Sequence, residues 1–262
     1  VIPLSIPLLE AFVYHLFNIS FISIGLTPSN SSENRASGKE IAKASLGMAL
    51  IEGVTFSLQA IIGGLLVILF GILGYRLFPT LGFFSPLGFT EGPGQALSLG
   101  SVWEEFGFEH ATTIGLTFAT IGFLFAFFVG IPFVNWGIRR GLSTYTPKEL
   151  PLDFRTGIIS KSQKKESAGE LTTHSANVDA LAFQAALIGV VYILAYGLMR
   201  SLGQVLPPDI GTTLWGFLFF FGLAIALMVR RIIEKIGAGY LIDPGLQKRI
   251  SGWAVDLLIV ST

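Results

Sequence analysis

The chain has 262 residues, of which 52% are hydrophobic and only 13% are charged, and its formal net charge is zero. Soluble globular chains carry about 25% charged residues, so most of this chain is expected to lie away from water. The neutral charge balance argues against nucleic-acid binding. The chain has no cysteine, which excludes disulfides, thiol catalysis and cysteine-ligated metals.

Long apolar runs dominate the sequence. A helix crosses ~30 Å of hydrocarbon with roughly 20 apolar residues. The runs 53–75, 111–138, 180–199 and 210–229 contain no Asp, Glu, Lys or Arg. The hydropathy pattern predicts six apolar spans, at about 4–26, 44–75, 110–138, 180–201, 210–229 and 250–262. The sequence therefore predicts an all-α membrane protein, a multi-span helical bundle.

Basic residues concentrate in three hydrophilic linkers, 27–43, 139–179 and 230–249. The linkers 76–109 and 200–209 each hold one, Arg76 and Arg200. Because cytoplasmic loops carry an excess of Lys and Arg, the three basic linkers are predicted to be cytoplasmic and the other two external. We expect a multi-pass protein of the cell membrane. The predicted sides of the linkers alternate from span to span only if the segment 77–103 enters and leaves the membrane on the same side.

The segment 77–103 carries one charge, Glu91, and is interrupted by five glycines and three prolines. It is too apolar for an ordinary external loop and too broken for a spanning helix. A re-entrant hairpin accounts for both properties, since broken backbone at membrane depth survives where protein buries it or water reaches it. The alternative is a loop on the membrane surface.

The tip of this hairpin is the candidate substrate and ion site. Glycines let a ligand approach the backbone closely. Glu91 is ionisable, and at membrane depth such a group indicates cation binding or proton transfer. At the water boundary Glu91 would carry no function. Thr113, Thr117 and Thr120 share one helical face, where they either line a polar cavity or bond back to their own helix. Gln59 is an amide within the apolar run 53–75, where it either bridges helices or contacts substrate. The candidate binding residues are Glu91, Gly92, Gly94, Gln95, Ser98, Thr117, Thr120 and Gln59.

Catalytic and nucleotide-binding motifs are missing from the sequence. It contains no P-loop, no HExxH motif and no Ser-His-Asp set, and its three histidines lack metal-ligand spacing. This pattern argues against an enzyme and against an ATP-driven pump. No cofactor is expected other than a transported sodium ion.

Residues 88–138 resemble the hairpin and following helix of the bacterial glutamate:sodium symporter family. The family's Gly-Gly-His-Gly-Thr hairpin aligns with Glu91-Gly92-Pro93-Gly94-Gln95, so proline and glutamine stand where the family has histidine and threonine. The resemblance covers about 1–140 and is mainly one of topology from 180 onwards. The other matching residues are Trp103, Phe106 to Thr112, Phe118 to Gly122, Gly130 to Pro132, Ile24 to Leu26 and Gln59.

This resemblance implies two inverted repeats, each with a re-entrant hairpin, in a homodimer that imports glutamate with sodium. The range 1–140 would hold most of the first repeat, 141–179 a cytoplasmic linker and 180–262 the truncated start of the second. Both ends read as cut, so we expect a divergent fragment that lacks both ends of a longer transporter. The implied function is symport of glutamate or a related organic anion with sodium or a proton.

Two alternatives remain open. One is a membrane scaffold or interaction protein without transport, in which 77–103 is a surface loop. The other is a membrane-embedded enzyme that uses Glu91 and Asp256 as acid and base.

Overall fold

A computed structural model describes residues 5–28, 38–142, 159 and 167–261. These residues form helices and no strand, which confirms the predicted all-α class. Most of the predicted linker 141–179 lies outside the described residues. The main helices are α1 (Ile6–Leu26), α2 (Gly38–Ile72), α3 (Pro93–Glu105), α4 (Ala111–Arg139), α5 (Ala180–Val205), α6 (Pro208–Trp215), α7 (Leu218–Lys235) and α8 (Pro244–Ser261). Helix α4 contains a π-helical turn, Ala126–Gly130.

Four helices in the described part of the chain are long and apolar enough to cross a membrane. They are Ile6–Leu26, Ala42–Ile72, Ala111–Arg139 and Ala180–Val205, and they agree with four of the six predicted spans. The predicted span 210–229 is wrong as a single helix, because α6 ends at Trp215 and α7 begins at Leu218. The sixth predicted span corresponds to α8, which carries Lys248, Arg249 and Asp256 and is not one of the four.

Helix α1 is the centre of the bundle and packs against α3, α5, α7 and α8. Along α7, Gly222 meets Ile22 and Ala226 meets Gly25, so α1 and α7 run parallel. The two glycines allow this close approach, as small residues do between membrane helices.

Helix α8 runs in the opposite direction to α1. The Ser23 hydroxyl donates to the Gln247 carbonyl at 2.7 Å, and the Ser251 hydroxyl donates to the Ser20 carbonyl at 3.4 Å. Residue numbers therefore fall along α1 as they rise along α8. Helix α5 is also antiparallel to α1, since Gln184 lies beside Gln247 and Tyr192 lies beside His15.

A buried glutamine cluster joins α1, α5 and α8, and we define it as Ser23, Gln184 and Gln247. All three residues have a relative exposure of 0%. The Gln247 Nε2 donates to Gln184 Oε1 at 3.0 Å, and the Gln184 Nε2 donates to the Leu241 carbonyl at 2.7 Å. The Ser23 hydroxyl lies 2.8 Å from Gln247 Oε1. The cluster therefore satisfies polar groups that would be costly to bury alone.

Helix α4 lacks a conventional cap at its N-terminus. His110 stands at the cap position with a left-handed φ of 59° and makes no side-chain cap bond. Glu104 takes over this role from the end of α3. Its Oε1 accepts from the Thr112 backbone N–H at 3.0 Å and from the Thr112 hydroxyl at 2.6 Å. A carboxylate at a helix N-terminus is favourable because it satisfies free N–H groups and complements the helix dipole.

Replacing Glu104 by alanine should lower the free energy of unfolding by about 1 kcal/mol, the usual value of a helix N-cap. Denaturant unfolding in detergent, followed by circular dichroism, measures this change. The matched control is Glu105→Ala, because the neighbouring Glu105 lies outside this hydrogen-bonded pair with Thr112. An equal loss in both variants would contradict a capping role for Glu104.

Candidate substrate and ion site

The segment between α2 and α4 folds as two helical arms that meet at Gly92. The second arm is α3, which begins at Pro93, directly after the turn. Gly92 has φ 83° and ψ −171°, a backbone conformation that is open to glycine and disfavoured for other residues. The first arm consists of single turns: a 3-10 turn (Leu81–Phe83), an α turn (Phe84–Pro86) and a π turn (Leu87–Glu91).

Contacts with α4 give the direction of the first arm. Phe84 lies against Gly115, and Gly88 lies against Phe118. Numbers rise together in both elements, so the first arm runs parallel to α4.

Contacts of α3 with α4 give the opposite direction. Gly100 lies against Thr112, and the Ala96 carbonyl lies against Gly115. The two arms are therefore antiparallel to each other, and their open ends lie at the end of the bundle where α4 begins. The rings of Phe78 and Phe108 stack with centroids 4.4 Å apart and join these two open ends.

Gln59 of α2 reaches the first arm beside the turn. Its Nε2 donates to the Thr90 hydroxyl at 2.9 Å, whereas its Oε1 is buried without a hydrogen-bond partner. Thr90 is the direct neighbour of Glu91. The structure therefore brings Gln59 together with the predicted tip, a contact between residues 31 positions apart in sequence.

The Glu91 side chain lies at the turn and is exposed at its surface. The Thr90 hydroxyl and the unpartnered Gln59 Oε1 thus lie beside the turn, and Glu91 follows Thr90 directly in the chain. Oxygen atoms of this kind suit a hard cation or a shared proton.

Gly94, Gln95 and Ser98 lie on the other side of the turn, along α3. Gly94 is buried against the ring of Phe17 so closely that a Cβ would collide with that ring. Gln95 and Ser98 are each 5% exposed. These three predicted residues are therefore buried, and Gly94 faces α1.

Thr117 and Thr120 are not part of this arrangement. The Thr117 hydroxyl donates to the Thr113 carbonyl at 2.8 Å, and the Thr120 hydroxyl donates to the Leu116 carbonyl at 2.9 Å. Both side chains are exposed on the outer part of α4. They bond back to their own helix, which was the alternative reading of their spacing.

A second break in the helical backbone lies on the α1 side of α3, between α6 and α7. The Trp215 carbonyl at this break accepts a 2.8 Å hydrogen bond from the Tyr14 hydroxyl. Gly216 lies against Ser98, and a Cβ on Gly216 would be 3.4 Å from the Ser98 Cβ. The predicted hairpin and the broken helix therefore meet at Ser98.

A cavity of about 280 Å³ opens between α1, α3 and this break. Ser98 is the one predicted site residue that lines it. The full lining is Tyr14, Ser98, Ser101, Val102, Glu105, Trp215 and Gly216. Sequence reasoning missed the other six residues, because the run 210–229, which contains Trp215 and Gly216, has no charge and no proline to mark a break.

The proposed acid–base pair of the enzyme alternative is not brought together. Ala254 and Leu258 of α8 are buried with α1 residues in one core cluster. Asp256 lies between them, about 200° around the helix, and is exposed. Glu91 lies at the turn beside α2. Within the described residues, no group of three or more His, Cys, Asp or Glu side chains could hold a metal ion.

These features define a class: an all-helical protein with four helices able to span a membrane and with two backbone breaks that flank one short helix, α3. No family model, curated protein or solved structure matches the chain. The resemblance to glutamate:sodium symporters therefore stays a prediction.

Proposed function

We propose that the protein is a secondary active transporter of the glutamate:sodium symporter type, and that residues 81–105 form a re-entrant hairpin at its translocation site. The observation that carries the proposal is the level of the Gly92 turn. It lies beside the middles of three long apolar helices and not beside their ends.

Three contacts give this level. Gly94 meets Phe17, near the middle of α1. Gln59 is near the middle of the span Ala42–Ile72 and bonds to Thr90. Phe89 meets Gly122, which lies about 17 Å along α4 from its start at 1.5 Å per residue. Half of a ~30 Å hydrocarbon core is about 15 Å, so this level supports the proposal that the turn lies near the centre of the membrane.

Broken backbone at that depth requires partners other than lipid. The Gly92 turn is one break, and Gly216–Phe217 is the second. Both flank α3, and both leave N–H and C=O groups at helix ends. Transporters commonly build substrate and ion sites from such discontinuous helices, whereas a scaffold has no need of them.

The oxygen atoms beside the turn favour coupling to a cation. Gln59 Oε1 is buried without a partner, the Thr90 hydroxyl is 2.9 Å from Gln59 Nε2, and Glu91 supplies a carboxylate. A sodium ion would satisfy all three oxygens. A proton on Glu91 is the other coupling species, since an ionisable side chain at membrane depth can serve as a proton carrier.

The helix directions support the proposed orientation in the membrane. Helices α1, α4 and α7 are parallel, while α2, α5 and α8 are antiparallel to them. The basic linkers 27–43, 139–179 and 230–249 therefore join helix ends at one end of the bundle. By the positive-inside rule, this end faces the cytoplasm, and the open ends of the two arms face outwards.

Substrate and assembly come from the resemblance alone. It implies import of glutamate or a related organic anion by a homodimer with inverted repeats. The substrate would meet the cation near 91–98, and one bundle would move against the other to expose the site alternately to each side.

Uptake into liposomes tests the transport proposal. The whole protein is reconstituted with an inward sodium gradient, an inward proton gradient or neither, and radiolabelled glutamate and other small organic acids and amines are supplied. We expect accumulation that depends on one gradient and falls at least about tenfold in Gln59→Leu, because loss of the amide removes oxygen and hydrogen bonding at the turn. Absence of gradient-driven uptake for every compound would overturn the proposal and favour a scaffold. Product formation without a gradient would favour an enzyme.

A further inference from the structure

We infer that the cavity between α1, α3 and the α6–α7 break binds the ammonium group of a small molecule, with Glu105 as its counter-charge. In a transporter this ammonium belongs to the substrate, so the assignment of the ligand as substrate rests on the proposed transport function. The ligand class is then an amine or an amino acid rather than a purely anionic acid.

The size of the cavity limits the ligand. Its volume is about 280 Å³, just below the 300–1,000 Å³ range of pockets for drug-sized ligands. A molecule of amino-acid size fits it.

The cavity has a floor and a mouth. Tyr14 and Ser98 form the floor together with Gly216, where the Tyr14 hydroxyl bonds to the Trp215 carbonyl. Glu105 stands at the end of α3, seven residues after Ser98 and therefore about 10 Å further along the helix. Since α3 runs outwards from the Gly92 turn, Glu105 stands at the mouth, on the side where α4 begins.

Charge at the mouth is one-sided. Glu105 is the one charged residue among the described residues that line the cavity. Its neighbour Glu104 is engaged with Thr112, so the Glu105 carboxylate is the group that faces an entering ligand. A cleft lined by one sign of charge concentrates ligands of the opposite sign. An ammonium group is attracted there, and a dicarboxylate without an amine is repelled.

Single-cysteine labelling tests the charge of the mouth directly, because the chain has no native cysteine. Ser101→Cys places a thiol on the cavity lining, and Ser101 is exposed. Its labelling rate is measured with a trimethylammonium methanethiosulfonate and with the matching sulfonate reagent. Each rate is measured in the protein that retains Glu105 and in the Glu105→Gln variant. The control is Glu109→Gln, which removes the same charge at the same end of the bundle but outside the cavity lining.

We expect the cationic reagent to react faster, and the ratio of the two rates to fall about fivefold in Glu105→Gln, as Coulomb attraction in water over roughly 7–8 Å predicts for probes of opposite sign. Glu109→Gln should change the ratio less than about twofold. An unchanged ratio in Glu105→Gln, or an equal fall in Glu109→Gln, would overturn the assignment.

Ligand protection supplies the second measurement. L-glutamate, 4-aminobutyrate and putrescine each carry an amine, whereas glutarate keeps the two carboxylates of glutamate without it. We expect at least one amine to slow labelling of Ser101→Cys, and glutarate to have no effect. Two outcomes would overturn the site. One is protection by glutarate as strong as protection by glutamate, and the other is the absence of protection by any of the three amines. Labelling needs no ion gradient, so a site that passes these tests in a protein without uptake would contradict the transport proposal alone.

Discussion

Gln184→Leu should be among the most destabilising single substitutions in this protein, with a loss of about 3 kcal/mol in the free energy of unfolding. Gln184 has 0% exposure and donates to the Leu241 carbonyl while it accepts from Gln247 Nε2. Leucine has a similar volume but no polar atoms, so the Leu241 carbonyl and the Gln247 amide both lose a partner. An unpartnered buried polar group costs about 1–3 kcal/mol, and two such groups are created here.

Helix α5 offers a matched control, Gln204→Leu. Gln204 is on the same helix and is exposed, and glutamine and leucine have similar helix propensities. We expect a change within about 0.5 kcal/mol there. Denaturant unfolding of both variants in the same detergent measures the difference. Equal stability of the two variants would mean that the glutamine cluster contributes no net stabilisation.

The sequence predicts the helices best where composition alone determines them. Four of the six predicted apolar spans become helices able to span a membrane, because about 20 mostly apolar residues with no competing turn signal have no other stable form in lipid. The break near residues 92–94 is also predicted correctly, since Gly92, Pro93 and Gly94 interrupt a helix through local backbone chemistry.

The second break could not be located in the same way. Gly216 is a single glycine in the run 210–229, and glycine is common inside membrane helices. What stabilises the break is a contact with Tyr14, 201 residues earlier in the chain. A hydrogen bond over that separation belongs to tertiary packing, so no local pattern reports it. The cavity at Ser98 depends on this break and was unpredictable for the same reason.

Spacing along one helix was also insufficient to define a site. Thr117 and Thr120 share a face with Thr113, but that face is turned away from α3 and the hydroxyls bond to their own backbone. Gln59 carries the same kind of ambiguity in sequence and does reach the turn. The difference lies in the glycine contact one helical turn further along α2, which brings that helix close to the first arm.

Gly63→Ala should separate α2 from the first arm. The Gly63 and Gly82 backbones lie so close that a methyl group on Gly63 would collide with the Gly82 carbonyl. Backbone on both sides cannot move aside as a flexible side chain would, so α2 must shift away. Helix α2 packs mainly on Leu81–Pro86, and the 2.9 Å bond from Gln59 to Thr90 lies just beyond this contact. We expect overpacking to cost about 1–3 kcal/mol and to break that bond.

Gly64→Ala is a control of unusual precision, because it makes the same change one residue away on the same helix. A Cβ at Gly64 meets no atom within 4 Å, so stability should stay the same or rise by up to about 1 kcal/mol through helix propensity.

The readout is cross-linking between cysteines at positions 59 and 90 with a short bifunctional thiol reagent, in a chain without native cysteine. Efficient cross-linking should persist in Gly64→Ala and fall several-fold in Gly63→Ala. If uptake falls together with cross-linking, the position of α2 beside the Gly92 turn matters for transport. Cross-linking that is equally efficient in both variants would contradict the close approach of Gly63 and Gly82.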